Sequence, residues 1–295
     1  MVDEELCMIE LLSEIKNACE NKNVDYFVVG KELLFHQRRT RVFSCSSDIC
    51  MLYEHFLSIY DELCGNEDRF IEDIGNNPDF PGLYFRYVNT KTLMIEPEYV
   101  AVRKHNGIAV NIHVLRGTGK RSYALCAVEQ NMSKAIGGCN TNSVSALSLF
   151  SYKVLKHKND YSDYMLKSLR ICAVKNYSEA SLLNIPQTGI MRFPENFWTD
   201  KKQMNIEDFT FTTVSSPDKV LSQWYGESYK KIPIRPSTEN YVQIVDATIS
   251  YKEMEEGFWK QFNRSNEFWN KRRKYLDFYK NEWISLNNKL SHEQN

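Results

Sequence analysis

The residues with the means to do chemistry lie between Asp25 and Met51, in the stretch DYFVVGKELLFHQRRTRVFSCSSDICM. A glycine at the end of a strand, Gly30, lets a phosphate approach the backbone, and the N-terminus of a following helix favours anions. Lys31, Arg38, Arg39 and Arg41 bring cations to the same stretch. Guanidinium groups suit phosphate recognition, and ammonium groups supply a point charge. Further on, Asp48-Ile49-Cys50 places two side chains on one face of a strand. Two carboxylates at that spacing share a metal ion in phosphoryl and nucleotidyl transfer. Here only Asp48 is a carboxylate. A glycine after a strand, a single aspartate and a lysine on a solvated first helical turn also serve purely structural purposes.

The elements that must position these residues are legible in the pattern. Residues 3–21 form an amphipathic helix, with Leu6, Ile9, Leu12, Ile15 and Cys19 at three- and four-residue spacing. Asp25–Val29 is a short buried strand, broken by Gly30. Lys31–Gln37 is a short helix, and Arg38, Arg39 and Arg41 form a basic loop. Asp48–Leu52 is a second strand, and Tyr53–Cys64 a helix burying Phe56, Ile59, Tyr60 and Leu63. The polar stretch 65–80 reads as a loop. Strands are expected at 83–88, 92–95, 99–103 and 107–115. In the last, Ala109, Asn111 and His113 alternate with Ile108, Val110, Ile112 and Val114. RGTGKRS (116–122) lacks the spacing of a phosphate loop and reads as a basic surface turn. The pattern from 123 to 185 is helical, broken near 137–142. An extended aromatic stretch covers 193–212, and a capped helix begins at Pro217-Asp218 and stops at Gly226.

Composition narrows the function classes. The 295 residues are 42% hydrophobic and 25% charged, enough for a buried core. The net charge of −1 gives no basic field for nucleic acid. The eight cysteines form no C-x-x-C pair, which argues against a disulfide framework or zinc ribbon and for a reducing, cytoplasmic compartment. The N-terminus is acidic, and no apolar run approaches the length of a membrane span. From 251 onward the character changes. Phe262, Trp269, Leu276, Trp283 and Leu290 follow a seven-residue repeat, interrupted beside it at Ser265 and Arg272. One long amphipathic helix is expected there, docked on the parent domain or pairing with a second copy in an oligomer. A membrane-surface role through KRRK (271–274) is the third option.

Taken together, several blocks resemble the LicD family of phosphocholine and polyol-phosphate transferases, related to fukutin. The family opening Y-F-L-D-G-G-T-L-L-G-A-V-R is similar to Tyr26-Phe27-Val28-Val29-Gly30-Lys31-Glu32-Leu33-Leu34 with Arg38 after it. Cys45-Ser46-Ser47-Asp48-Ile49-Cys50 falls on W-D-D-D-I-D, and residues 107–115 (GIAVNIHVL) on G-I-F-I-D-I-F-P-L. Phe193-Pro194-Glu195-Asn196-Phe197-Trp198 and the block from Pro217 to Gly226 complete the series. The resemblance covers about residues 5–235, in the family's order.

What it implies is an α/β nucleotidyltransferase-like mixed sheet flanked by helices over residues 1–250, with a C-terminal amphipathic helix over 251–295. It also implies Mg²⁺-dependent transfer of a phospho-substituent from a nucleotide-activated donor, such as CDP-choline, to a hydroxyl of a glycan acceptor. Asp48 falls on the first metal aspartate. Cys50 stands in place of the second and Asn111 in place of the third, while Val29 and Lys31 replace the D and second G of D-G-G. Gly30, Lys31 and Arg38 are the expected donor-phosphate contacts. Thiol and amide are poor Mg²⁺ ligands, so a weakened metal site follows. Two functions are carried forward: a LicD-like transferase, and a catalytically impaired member of the same plan that binds or scaffolds. Glu96, Glu98 or Asp246 could supply a missing carboxylate. A zinc set of Asp48, Cys50, Asn111 and His113 lacks a recognised spacing, and His113 reads as a hydrogen-bonded histidine at the edge of the core.

Overall fold

In a computed structural model of the chain, the structure describes residues 3–39, 46–78, 80–95, 105–138, 161–185, 188–231 and 244–252. The first half runs α1 (Asp3–Lys22), β1 (Phe27–Val29), α2 (Gly30–Arg38), β2 (Ser46–Met51), α3 (Tyr53–Leu63), β3 (Arg69–Glu72), β4 (Tyr84–Asn89), β5 (Leu93–Ile95) and β6 (Ala109–Val114). The second half runs α4 (Lys120–Gly138), α5 (Tyr161–Cys172), β7 (Leu182–Ile185), β8 (Gly189–Arg192), β9 (Lys201–Ile206), β10 (Phe209–Val214), α6 (Pro217–Tyr225) and β11 (Ile244–Asp246). The class is mixed α/β. A seven-stranded sheet has the order β3-β4-β6-β2-β1-β10-β9, in which β2 is parallel to β6 and β1 to β10, the other pairs being antiparallel.

The central strands are buried on both faces, which the alternation in 107–115 does not convey: from Ala109 to Val114 only Asn111 is partly exposed. One face lies under α1 and α3. There the Tyr87 hydroxyl donates to Glu14 Oε2 at 2.6 Å, and the Phe56 and Phe85 rings stack at 4.0 Å. On α1, Ile9, Leu12, Ile15 and Cys19 are buried as the spacing predicts, while Leu6 is exposed. The opposite face carries Asp48 and receives α2 and α6. Trp198, from the predicted aromatic stretch, packs edge-on against Phe27 at 5.5 Å and against Phe193 and Phe197.

Four expectations are corrected. The polar stretch 65–80 contains an edge strand, β3, because its Glu72 is not solvated. It is fully buried, paired with Arg86 of β4 at 3.1 Å and held by Asn77 Nδ2 at 2.8 Å. Arg116, placed in a surface turn, is buried; its Nη2 donates to Glu129 Oε2 on α4 at 2.9 Å, and Asn184 Nδ2 reaches the same oxygen at 2.7 Å. Residues 123–185 are not helical throughout, since β7 pairs with β8 in a hairpin. Asp218 does not cap α6; its carboxylate accepts from the Tyr229 hydroxyl and pairs with Lys230.

The expected boundary at 250 falls in a strapped segment. β11 pairs with β5, the Tyr251 amide donates to the Thr92 carbonyl, and the Tyr251 hydroxyl meets His105 Nδ1. The strand expected at 99–103, Cys45, Arg41, Glu96, Glu98 and the seven-residue repeat lie outside the described residues. No helix among the described residues is long and apolar enough to cross a membrane.

Candidate functional site

Strand register builds the site. Glu72 of β3, Arg86 of β4, Asn111 of β6, Asp48 of β2 and Val29 of β1 lie in one row across the sheet. Tyr84, His113, Cys50 and Phe27 make the next row on the same face. Side chains two apart share a face, so Asp48 and Cys50 stand side by side, as do Asn111 and His113. The structure thus brings together Asp48, Cys50 and Asn111 with His113, the four residues that the sequence grouped on one face.

Asp48 is the hub. Its side chain is 14% exposed. Its Oδ1 accepts from Asn111 Nδ2 at 3.1 Å and from His113 Nε2 at 3.0 Å. An ionised carboxylate only accepts, so Nε2 of His113 carries a proton. Burial pushes the Asp48 carboxyl upward. The His113 bond and charge, the Asn111 amide and the Lys31 ammonium outweigh that and hold it below its ordinary value of 3.8. A carboxylate whose folded value is depressed adds stability above its unfolded value, and that stability is lost as pH falls through the folded value. Asp48→Asn is therefore expected to lower stability near neutral pH and to flatten the acid limb of the stability profile below about pH 4. Urea titrations at a series of pH values check this; parallel acid limbs in variant and wild type would contradict it.

Gly30 closes the other side of Asp48. It begins α2 with φ +71, and a Cβ built there would lie 2.8 Å from Asp48 Oδ2, 3.1 Å from Asp48 Cβ and 3.3 Å from Trp224 Cη2. Trp224 of α6 also meets the His113 ring edge-on, with centroids 6.5 Å apart, and stacks with Tyr225 at 5.9 Å. The Tyr225 hydroxyl is pushed up by burial and then by the Asp48 and Glu32 carboxylates. Trp224 and Tyr225 of α6 are walls of the site. The signal for His113 was its alternation with Asn111 on β6.

Lys31 is exposed on the first turn of α2, and Arg38 is half-buried on the last. Seven residues along a helix advance about 10 Å and return to the same face. The pair therefore suits the two ends of an extended ligand. Arg38 Nε is buried without a hydrogen-bond partner among the described residues. Arg39 is the left-handed residue that ends α2, its amide donating to the carbonyls of His36 and Phe35.

The metal chemistry implied by the resemblance meets an unsuitable donor set. Mg²⁺ takes hard oxygen ligands in near-octahedral array. In the strand rows around Asp48 the other carboxylate, Glu72, is paired with Arg86, and one of the two Asp48 oxygens already takes two N–H donors. Asn111 turns its nitrogen toward it, and the Cys50 thiol is sealed in the core, pushed far above its ordinary value by burial and by Asp48. Among the described residues no three His, Cys, Asp or Glu side chains cluster as metal ligands. Asp246 does not fill the gap: its Oδ1 closes its own turn, accepting from Thr248 and Ile249. As arranged, these residues do not fit Mg²⁺. Comparison with protein-family models, with characterised proteins and with solved structures finds no match for the chain.

Proposed function

We propose that this chain is a LicD-like, nucleotidyltransferase-fold protein that binds a nucleotide-activated donor of the CDP-alcohol type and is impaired in transferring it. It acts as a binding or scaffolding member of that plan. One observation carries the reading. Asp48 Oδ1, on the carboxylate that falls on the family's metal aspartate, is committed to the N–H groups of Asn111 and His113. The features that would receive a donor remain: Gly30 against Asp48, Lys31 and Arg38 at the two ends of α2, and the Trp224–Tyr225 wall.

A second reading, retained transfer of the phospho-alcohol to a sugar hydroxyl with CMP as leaving group, is favoured by that same intact surround. A thermal-shift and turnover screen separates the two. Ligand at a hundred times its Kd stabilises the folded state by about 2.7 kcal/mol. In a protein of this size that is a rise of roughly 4 °C. CDP-choline is expected to give such a rise, with no CMP released in the presence of a glycan acceptor and Mg²⁺. CMP release abolished by Asp48→Ala would establish the second reading. No shift with CDP or CDP-choline would sink both.

A further inference from the structure

The misfit between Asp48 and Mg²⁺ has a direct bearing on how this pocket takes a ligand. In a metal-dependent site the cation does two things: it neutralises the carboxylates and it receives the ligand's phosphate oxygens. Here the first task is already done by the protein. His113 Nε2 and Asn111 Nδ2 converge on a single oxygen, at 3.0 and 3.1 Å, from adjacent positions on one face of β6. Charge-assisted hydrogen bonds of this kind are the strong ones, and two of them on a nearly buried oxygen replace much of its lost hydration.

The remaining oxygen, Oδ2, faces the bare backbone of Gly30 beneath the edge of Trp224. The neighbours in the two rows add no further anionic ligand. Glu72 is engaged by Arg86 and Asn77, Asn111 is neutral, and Cys50 is held as a thiol. Within these two rows a divalent cation would meet one carboxylate outside an arginine pair, and would have to displace two N–H donors to gain its Oδ1. The second task, receiving phosphate, falls to cations that do not depend on a metal. Lys31 and Arg38 stand at opposite ends of α2, a span that matches a diphosphate with groups on both sides.

We infer that the pocket is cation-independent: Asn111 and His113 hold Asp48 in place of a divalent ion, and a nucleoside diphosphate binds equally well with or without Mg²⁺. This rests on the reading of the pocket as a CDP-alcohol site. Calorimetric titration of the full chain with CDP-choline, once in EDTA and once in millimolar Mg²⁺, tests it directly. The expected result is the same Kd within about twofold. Affinity lost or weakened by about tenfold or more in EDTA, a change of about 1.4 kcal/mol, would overturn the inference and leave the binding reading standing. Absence of binding in both buffers overturns the binding reading and this inference with it.

A second measurement uses Mn²⁺ alone as the probe. The wild-type unfolding midpoint is expected not to move, whereas Asn111→Asp combined with His113→Phe, which removes both N–H donors and adds a carboxylate, is expected to gain a metal-dependent rise. A rise in the wild type would count against the inference even if the double variant fails to fold.

Discussion

Arg86→Met is expected to destabilise the protein by about 3–5 kcal/mol, the range for breaking one half of a buried ion pair. Arg86 and Glu72 have fully buried side chains, and their N···O distance is 3.1 Å. Removing the guanidinium leaves the Glu72 carboxylate inside the protein with Asn77 Nδ2 on its other oxygen. It also strips a donor from the carbonyls of His105 and Gly107, which Arg86 contacts at 2.9 and 3.3 Å. The loss strikes at the site indirectly, because Arg86 is the register neighbour of Asn111 on β6. The double variant Arg86→Met with Glu72→Met is expected to recover most of the stability, since replacing both partners of a buried pair with apolar groups is often neutral. Urea unfolding followed by circular dichroism gives the cycle. A single-variant cost below about 1 kcal/mol, the level of an exposed pair, would show that this pair does not hold β3 to the sheet.

The same pair explains why part of the fold was hidden in the sequence. Local signals located α1, the β1–α2–β2 unit, α3, β6 and α6, because their apolar spacing and their breaks at Gly30 and Gly226 are set by near neighbours. β3 escaped because RFIE reads as polar until a partner 14 residues away neutralises Glu72. Arg116 escaped for the same reason, its partner Glu129 lying on the next helix. In β7, LLNI fits a helix or a strand equally, and its pairing with β8 decides the matter. β5 takes its partner β11 from about 150 residues along the chain, a contact no local pattern encodes.

At the site, Asp48 and Asn111 were legible as a pair, and His113 as a hydrogen-bonded histidine at the core edge, which it is, but its partner was not legible. Its tie to Asp48 depends on the parallel register of β2 and β6, which pairs Cys50 with His113. Sequence named Lys31 and Arg38 as donor-phosphate contacts without their spacing, and helix geometry sets them two turns apart.

Gly30→Ala is expected to combine backbone strain with a steric clash, and to disturb the site more than the fold. At φ +71 an alanine side chain costs about 1–2 kcal/mol in backbone strain. Its Cβ would then sit 2.8 Å from Asp48 Oδ2 and 3.1 Å from Asp48 Cβ. The Oδ2 contact alone could be relieved by turning the carboxylate, but Oδ1 is tied to Asn111 and His113, and the turn would break both bonds. The Cβ contact involves an atom fixed by β2 itself. Overpacking of this kind costs about 1–3 kcal/mol, so the expected total is roughly 2–5 kcal/mol.

The two components separate in a double-mutant cycle. Asp48→Ala removes the carboxylate but keeps its Cβ, so Gly30→Ala should cost clearly less in that background than in the wild type. Any remaining cost reports the backbone strain and the Cβ contact. On the proposed function, CDP-choline affinity is expected to fall with Gly30→Ala even where the variant is fully folded, because Asp48, Trp224 and the start of α2 all meet at this one carbon. An equal cost of Gly30→Ala in both backgrounds would mean that Asp48 is not pressed against Gly30. The site would then lose its link between the first turn of α2 and the Asn111–Asp48–His113 group.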